Sequence, residues 1–154
     1  MNRLEQVREY VNDVLLRVPD SDFRVCGYSH LYGVSLMCVL IANKRGENVE
    51  LLAIAGMLHD IYTFSAMDSK GHARKGAVMA REILTSMGIF SEDEIEMICG
   101  AIHNHGDKGG KHSPFDEVLI DADVLHHCFY DPEAGVFDRE KERFEALKKE
   151  FGLI

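Results

Sequence analysis

Apolar residues recur at helical spacing between Gly and Pro punctuation along this 154-residue chain. No segment sustains the period-two alternation, rich in Val, Ile and Tyr, that marks a β-strand. The pattern predicts an all-α fold, a compact single domain over residues 1–154 built as a bundle of six to seven helices. Helices are expected at about residues 2–17, 28–44, 47–62, 71–87, 92–105, 114–129 and 138–151. Ser91 with Glu94 three residues on reads as a capping box, Ser113-Pro114 as an N-cap and first helical position, and Gly46, Gly88 and Gly106 as C-terminal stops. The segments Phe64 to Gly71 and Gly106 to Ser113 read as loops, the second flexible enough to cover or uncover a site. The first and last helices are expected to pack on the bundle; in the last, Phe144, Leu147 and Phe151 form one apolar stripe and Glu145 precedes Lys149 by four residues.

Composition narrows the function. With 46% hydrophobic residues and no apolar run approaching the ~18 needed to cross a bilayer, the chain is expected to be soluble, with no membrane partner. Met1 to Arg8 is polar and charged, so no secretory signal is expected and a cytoplasmic location follows. Cys26, Cys38, Cys99 and Cys128 lack Cys-x-x-Cys spacing and read as reduced, core-forming residues. A net charge of -9 argues against a nucleic-acid polymer as partner, because such readers carry basic stripes. A small anionic substrate stays open, since a bound metal reverses the local potential.

The adjacent pair His59-Asp60 closes the apolar run Leu51 to Leu58. Burying an ionised carboxylate there is costly unless it is paired or metal-bound. His30 falls in the first turn of the second expected helix, His72 at the start of the fourth and His105 at the end of the fifth. Helix ends of a bundle can converge, and inward side chains from several helices are how bundles build metal sites. The stripe Ile95, Ile98, Ile102 continues onto His105, whereas His103 falls off it. In the helix over 114–129 the apolar stripe is Phe115, Val118, Ala122, Leu125 and Phe129; Asp121 and Asp123 flank Ala122 on either side, and periodicity does not choose between them. His103, His112, His126 and His127 read as surface or packing residues, with His112 on a loop that could approach a substrate.

The order His30, then Leu-His-Asp-Ile at 58–61, then Asp-Ala-Asp-Val-Leu at 121–125 resembles the HD-domain superfamily of metal-dependent phosphohydrolases, over about residues 25–130. The resemblance implies His30, His59, Asp60 and Asp123 as metal ligands, with Asp121 behind Asp123. His72 in His-Ala-Arg-Lys-Gly-Ala and His105 in Ala-Ile-His-Asn-His resemble the two-metal subset, in which Asp60 bridges the ions. A nitrogen and oxygen donor set without thiolate favours one or two divalent ions such as iron or manganese over structural zinc. The chain departs from the common pattern at Tyr62, where members usually have Gly. The expected activity is hydrolysis of a nucleotide or other small phosphate ester by a metal-activated water. Asp60 and Asp121 are the candidate catalytic carboxylates, Asp121 orienting a ligand imidazole or accepting a proton. Arg74, Lys75, Lys108 and Lys111, with Lys70 nearby, are the candidate phosphate contacts. The alternatives are a di-iron oxygenase on the same ligand set and a non-catalytic metal- or nucleotide-binding module. The Met- and Leu-rich second helix reads as core or as a homodimer face.

Overall fold

The computed structural model describes residues 1–153, and no strand occurs among them. The helices are α1 (Arg3–Leu16), α2 (Ser21–Arg45), α3 (Val49–Leu58), α4 (Ile61–Ala66), α5 (His72–Met87), α6 (Glu92–Asn104), α7 (Pro114–Tyr130) and α8 (Lys141–Phe151), the last preceded by a 3-10 turn at Asp138–Glu140. The expected all-α bundle is observed. Ser91 and Glu94 form the capping box of α6, and the Ser113 hydroxyl accepts from the Asp116 amide with Pro114 at the first position of α7.

α3 is the centre of the bundle. Every residue from Leu51 to Leu58 is buried, and α1, α2, α6 and α7 pack around it. Its apolar character on all sides has that cause: a helix surrounded by others has no polar face. The α2–α3 contact depends on Gly56, where an added Cβ would stand 2.7 Å from Ser35 Cα and 2.9 Å from Ser35 N. The Ser35 hydroxyl crosses the same contact to donate to the Ala53 carbonyl at 2.8 Å.

Three boundaries differ from the sequence expectation. α2 begins at Ser21, because the Asp20 side chain caps it by accepting from the Phe23 amide, and it continues through Gly27. Gly27 is therefore a point of close approach, since a Cβ there would meet Leu15 and Phe64 at 2.7 and 2.9 Å. His30 consequently lies well inside α2. The single helix expected over 47–62 is two helices, broken at His59 and Asp60, where Asp60 leaves helical geometry with φ -113° and ψ 15°. α4 then occupies part of the expected loop and stops at Met67, which is left-handed. Finally, α2 is long and apolar enough, by length and composition, to cross a membrane, although no uninterrupted apolar run reaches that length. In the bundle it buries Leu31, Val34, Cys38 and Ile41 and leaves Val25, Leu36 and Leu40 exposed on its outer side.

Candidate metal centre

Helix ends and faces deliver imidazoles and carboxylates to one region: His30 from α2, His59 and Asp60 from the break after α3, His72 and His105 from the ends of α5 and α6, and Asp123 from α7. His59 and His105 end their helices in the same way. Each sits one residue past the last helical position, and its Nδ1–H donates to the carbonyl three residues back, Gly56 at 2.8 Å and Ile102 at 2.6 Å. His72 does likewise with Ser69 at 3.0 Å. A carbonyl only accepts, so the proton of each neutral ring is on Nδ1, and Nε2 offers its lone pair inward.

Those lone pairs converge on Asp60. Its Oδ1 lies 3.6 Å from His72 Nε2 and 3.4 Å from His105 Nε2, while its Oδ2 lies 3.4 Å from His30 Nε2 and 3.8 Å from His59 Nε2. One carboxylate thus addresses two pairs of imidazoles, one pair with each oxygen. Asp123 Oδ1 joins the His30 and His59 pair at 3.6 and 3.7 Å.

The donor set fits divalent ions. His72 Nε2 and His105 Nε2 are 3.2 Å apart, and with both Nδ1 protons committed to carbonyls a neutral pair has no proton to place between them. Asp60 Oδ1 and Asp123 Oδ1 are buried without a hydrogen-bond partner. Buried acceptors that face one another are satisfied by a shared proton or by a bound cation, and a divalent ion satisfies several of them at once. Among the sets whose donor atoms lie within 4.8 Å of one another are Asp60, His72 and His105 on one side and His30, His59 and Asp60 on the other.

The electrostatics follow from this packing. Burial alone would raise the Asp60 carboxyl, and positive charge carried on the facing imidazoles of His59, His105 and His30 is what holds it well below the usual range. Burial likewise opposes ionisation of Asp123, and the Lys108 ammonium with His59 outweighs it. Burial lowers His59, disfavouring the charged ring.

A family model described as HD domain matches residues 27–128. The chain belongs to the HD-domain family. HD domains are in general metal-dependent hydrolases, and the buried His and Asp groups of this HD domain could hold metal. No curated protein and no solved structure matches the chain.

The remaining residues that the sequence puts forward are not donors of the cluster in this HD domain, and Lys108 alone of them touches it. Asp121 is not in the cluster: its carboxylate is ion-paired to Arg45 at 2.8 Å and to Arg143 at 2.9 Å, so it orients no imidazole. The Lys108 side chain is buried against Asp123 Oδ2, where it neutralises that carboxylate. Lys75 bonds the Tyr62 hydroxyl and Asp68, each at 3.0 Å, and with Arg74 lines a recess that contains none of the clustered histidines. Tyr62 therefore gives Lys75 a local partner in place of the usual Gly. Lys111 lines another recess beside Arg143.

Two histidines read as packing residues lie against the cluster. His126 Nδ1 is 3.2 Å from His30 Nδ1, and burial with the neighbouring His30 and His127 brings its pKa down to about 4. His127 Nε2 is 3.3 Å from Asp123 Oδ1, and its Nδ1 is 3.2 Å from Oε1 of the buried Glu140. The sequence holds one signal for His127, its i,i+4 spacing from Asp123 on one helix face.

Proposed function

We propose that this HD domain hydrolyses a small phosphate ester whose organic part is flat and apolar, a nucleotide base being the natural example. The observation that carries the reading is a cavity of about 420 Å³ beside the cluster, lined by Phe23, Phe64, Tyr130 and Phe137 together with His30, Asp60 and His127. Divalent ions bound there would supply Lewis acidity toward a phosphoryl group and a hydroxide nucleophile near neutral pH.

The chain's own residues do the rest. Asp60 would fix the spacing between the two halves of the centre, because each of its oxygens serves a different pair of imidazoles. The Phe23, Phe64 and Tyr130 rings offer stacking surface and exclude water from the organic part. Thr63 forms part of the same cavity wall. Among the described residues no Lys or Arg lines this cavity, so neutralisation of phosphate falls to the centre itself. That favours a substrate with one phosphoryl group at the cluster over a polyphosphate chain, which would need cations along its length.

The test is phosphate release by metal-loaded protein from nucleoside monophosphates, nucleoside triphosphates and alkyl phosphates, beside H59A and D60A variants. The expected result is release from monoesters with aromatic organic parts, abolished in both variants. Equal release by wild type and variants would refute the reading. Oxygen-18 from dioxygen rather than water in the product would assign an oxygenase instead.

A further inference from the structure

His127 obeys the same geometric rule as the clustered imidazoles, with a carboxylate in place of a backbone carbonyl. His59, His72 and His105 each commit Nδ1–H to an acceptor and turn Nε2 inward. His127 commits Nδ1–H to Glu140 Oε1 at 3.2 Å and turns Nε2 to Asp123 Oδ1 at 3.3 Å, an oxygen that has no hydrogen-bond partner. Its ring is stacked on His30, with centroids 5.3 Å apart and planes within 10°. Donor atoms of His30, Asp123 and His127 all lie within 4.8 Å of one another.

Glu140 has no other evident purpose. It is wholly buried, its Oε2 is unpartnered, and its only other charged neighbour among the described residues is Arg139 at 3.9 Å. A buried carboxylate whose main partner is an imidazole needs that imidazole to carry positive charge. Coordination of Nε2 to a cation supplies it, and a carboxylate behind a ligand imidazole is the usual outer support of a metal-bound histidine.

We infer that His127 is a further ligand of the ion held by His30, His59, Asp60 and Asp123, with Glu140 as the carboxylate that orients it. The inference rests on the cluster being a metal centre, as proposed above. It makes the two halves unequal: one ion would have five protein side chains and one open position, the other only Asp60, His72 and His105. One ion would then be held firmly and the other exchange readily, with the open positions concentrated on the second.

The experiment is a cobalt(II) titration of the full, chelator-treated chain, followed by visible absorption and calorimetry, for wild type, H127A, H127Q and E140Q. Circular dichroism of each variant checks that it is folded, and the partly exposed His127 site makes H127Q the conservative choice. Wild type is expected to bind one ion tightly and one weakly. H127A and H127Q should weaken the tight site by about 100-fold or more and shift its absorption toward lower coordination number, and E140Q should weaken it by about 10–100-fold; the weak site should not change. Unchanged affinity and spectrum in folded H127A and H127Q would overturn the inference while leaving the metal centre standing. Failure of wild type to bind cobalt would overturn both.

Discussion

Replacing Gly56 by Ala tests whether the site depends on how closely α2 and α3 approach. The new Cβ would lie 2.7 Å from Ser35 Cα, where ordinary contact begins at 3.4 Å, so backbone must yield by about 0.7 Å. Backbone cannot rotate aside as a side chain can. Overpacking of this kind costs about 1–3 kcal/mol, and the better helix propensity of Ala returns about 1 kcal/mol. Because the contacted atoms are main chain, the upper part of the range applies, leaving about 1–2 kcal/mol and a fall in Tm of roughly 2–8 °C for a chain of this size. His30 rides on α2 and His59 follows α3, so the displacement opens the cluster by more than the ~0.2 Å that metal coordination tolerates. Metal affinity should fall with stability. Gly100, in α6, is the control: nothing lies within 4 Å of its Cβ position, so G100A should raise Tm by roughly 2–4 °C. Differential scanning fluorimetry and calorimetric metal titration measure both quantities. An unchanged or raised Tm in G56A would refute the packing argument.

Thiol reactivity, pH and the Arg143 network supply the other expectations. Cys26 is exposed and lines the cavity beside the cluster, whereas Cys38, Cys99 and Cys128 are buried, with burial pushing Cys99 and Cys128 up to about 11; an aromatic disulfide reagent should therefore label one thiol quickly in the native chain and four after unfolding, and a nucleoside monophosphate in the cavity should slow the first. In chelator-treated protein His59 and His126 titrate below the ordinary 6.5 because burial disfavours their charged forms, so the unfolded state binds more protons and stability falls as pH drops from about 6.5 toward 4. The raised His127 acts oppositely, adding stability that is lost as pH rises through its folded pKa, and Asp60 and Asp123 add stability that is lost in acid below about 4; thermal melts more stable at pH 5 than at pH 7 would contradict the balance. Arg143 bonds Glu117, Asp121 and the carbonyls of Lys108 and Gly110. R143M should cost about 3 kcal/mol, as breaking buried pairs does, and speed hydrogen exchange across residues 106–113.

The fold class was legible because helical periodicity and caps act locally. The break at His59-Asp60 was not, because Leu58-His59-Asp60-Ile61 continues a helical pattern and the break arises when the His59 ring takes the Gly56 carbonyl. The start of α2 escapes the sequence for a related reason: Gly27 punctuates a sequence but here serves as a contact with Leu15 and Phe64. Periodicity alone separates His105 from His103, and the structure buries His105 and exposes His103. Periodicity does not separate Asp121 from Asp123, since both flank Ala122, and only the resemblance assigns Asp123 to the ligands; what divides them physically is the arrival of Arg45 and Arg143 from distant helices on one side and histidines on the other. Glu140 gave no sequence signal, since its partner lies 13 residues away across an irregular segment.

The exposed, irregular stretch 131–137 joins the segment that carries the donors to the segment that fastens them, for Glu140 and Arg143 reach back from beyond the matched region at 27–128. A single proteolytic cut within 131–137 would leave every motif residue in place while making its fastening a separate, dissociable piece. A fragment trimmed to the shared family core would keep the imidazoles of His59, His72 and His105 fastened to their own backbone carbonyls and would lose the carboxylate behind His127.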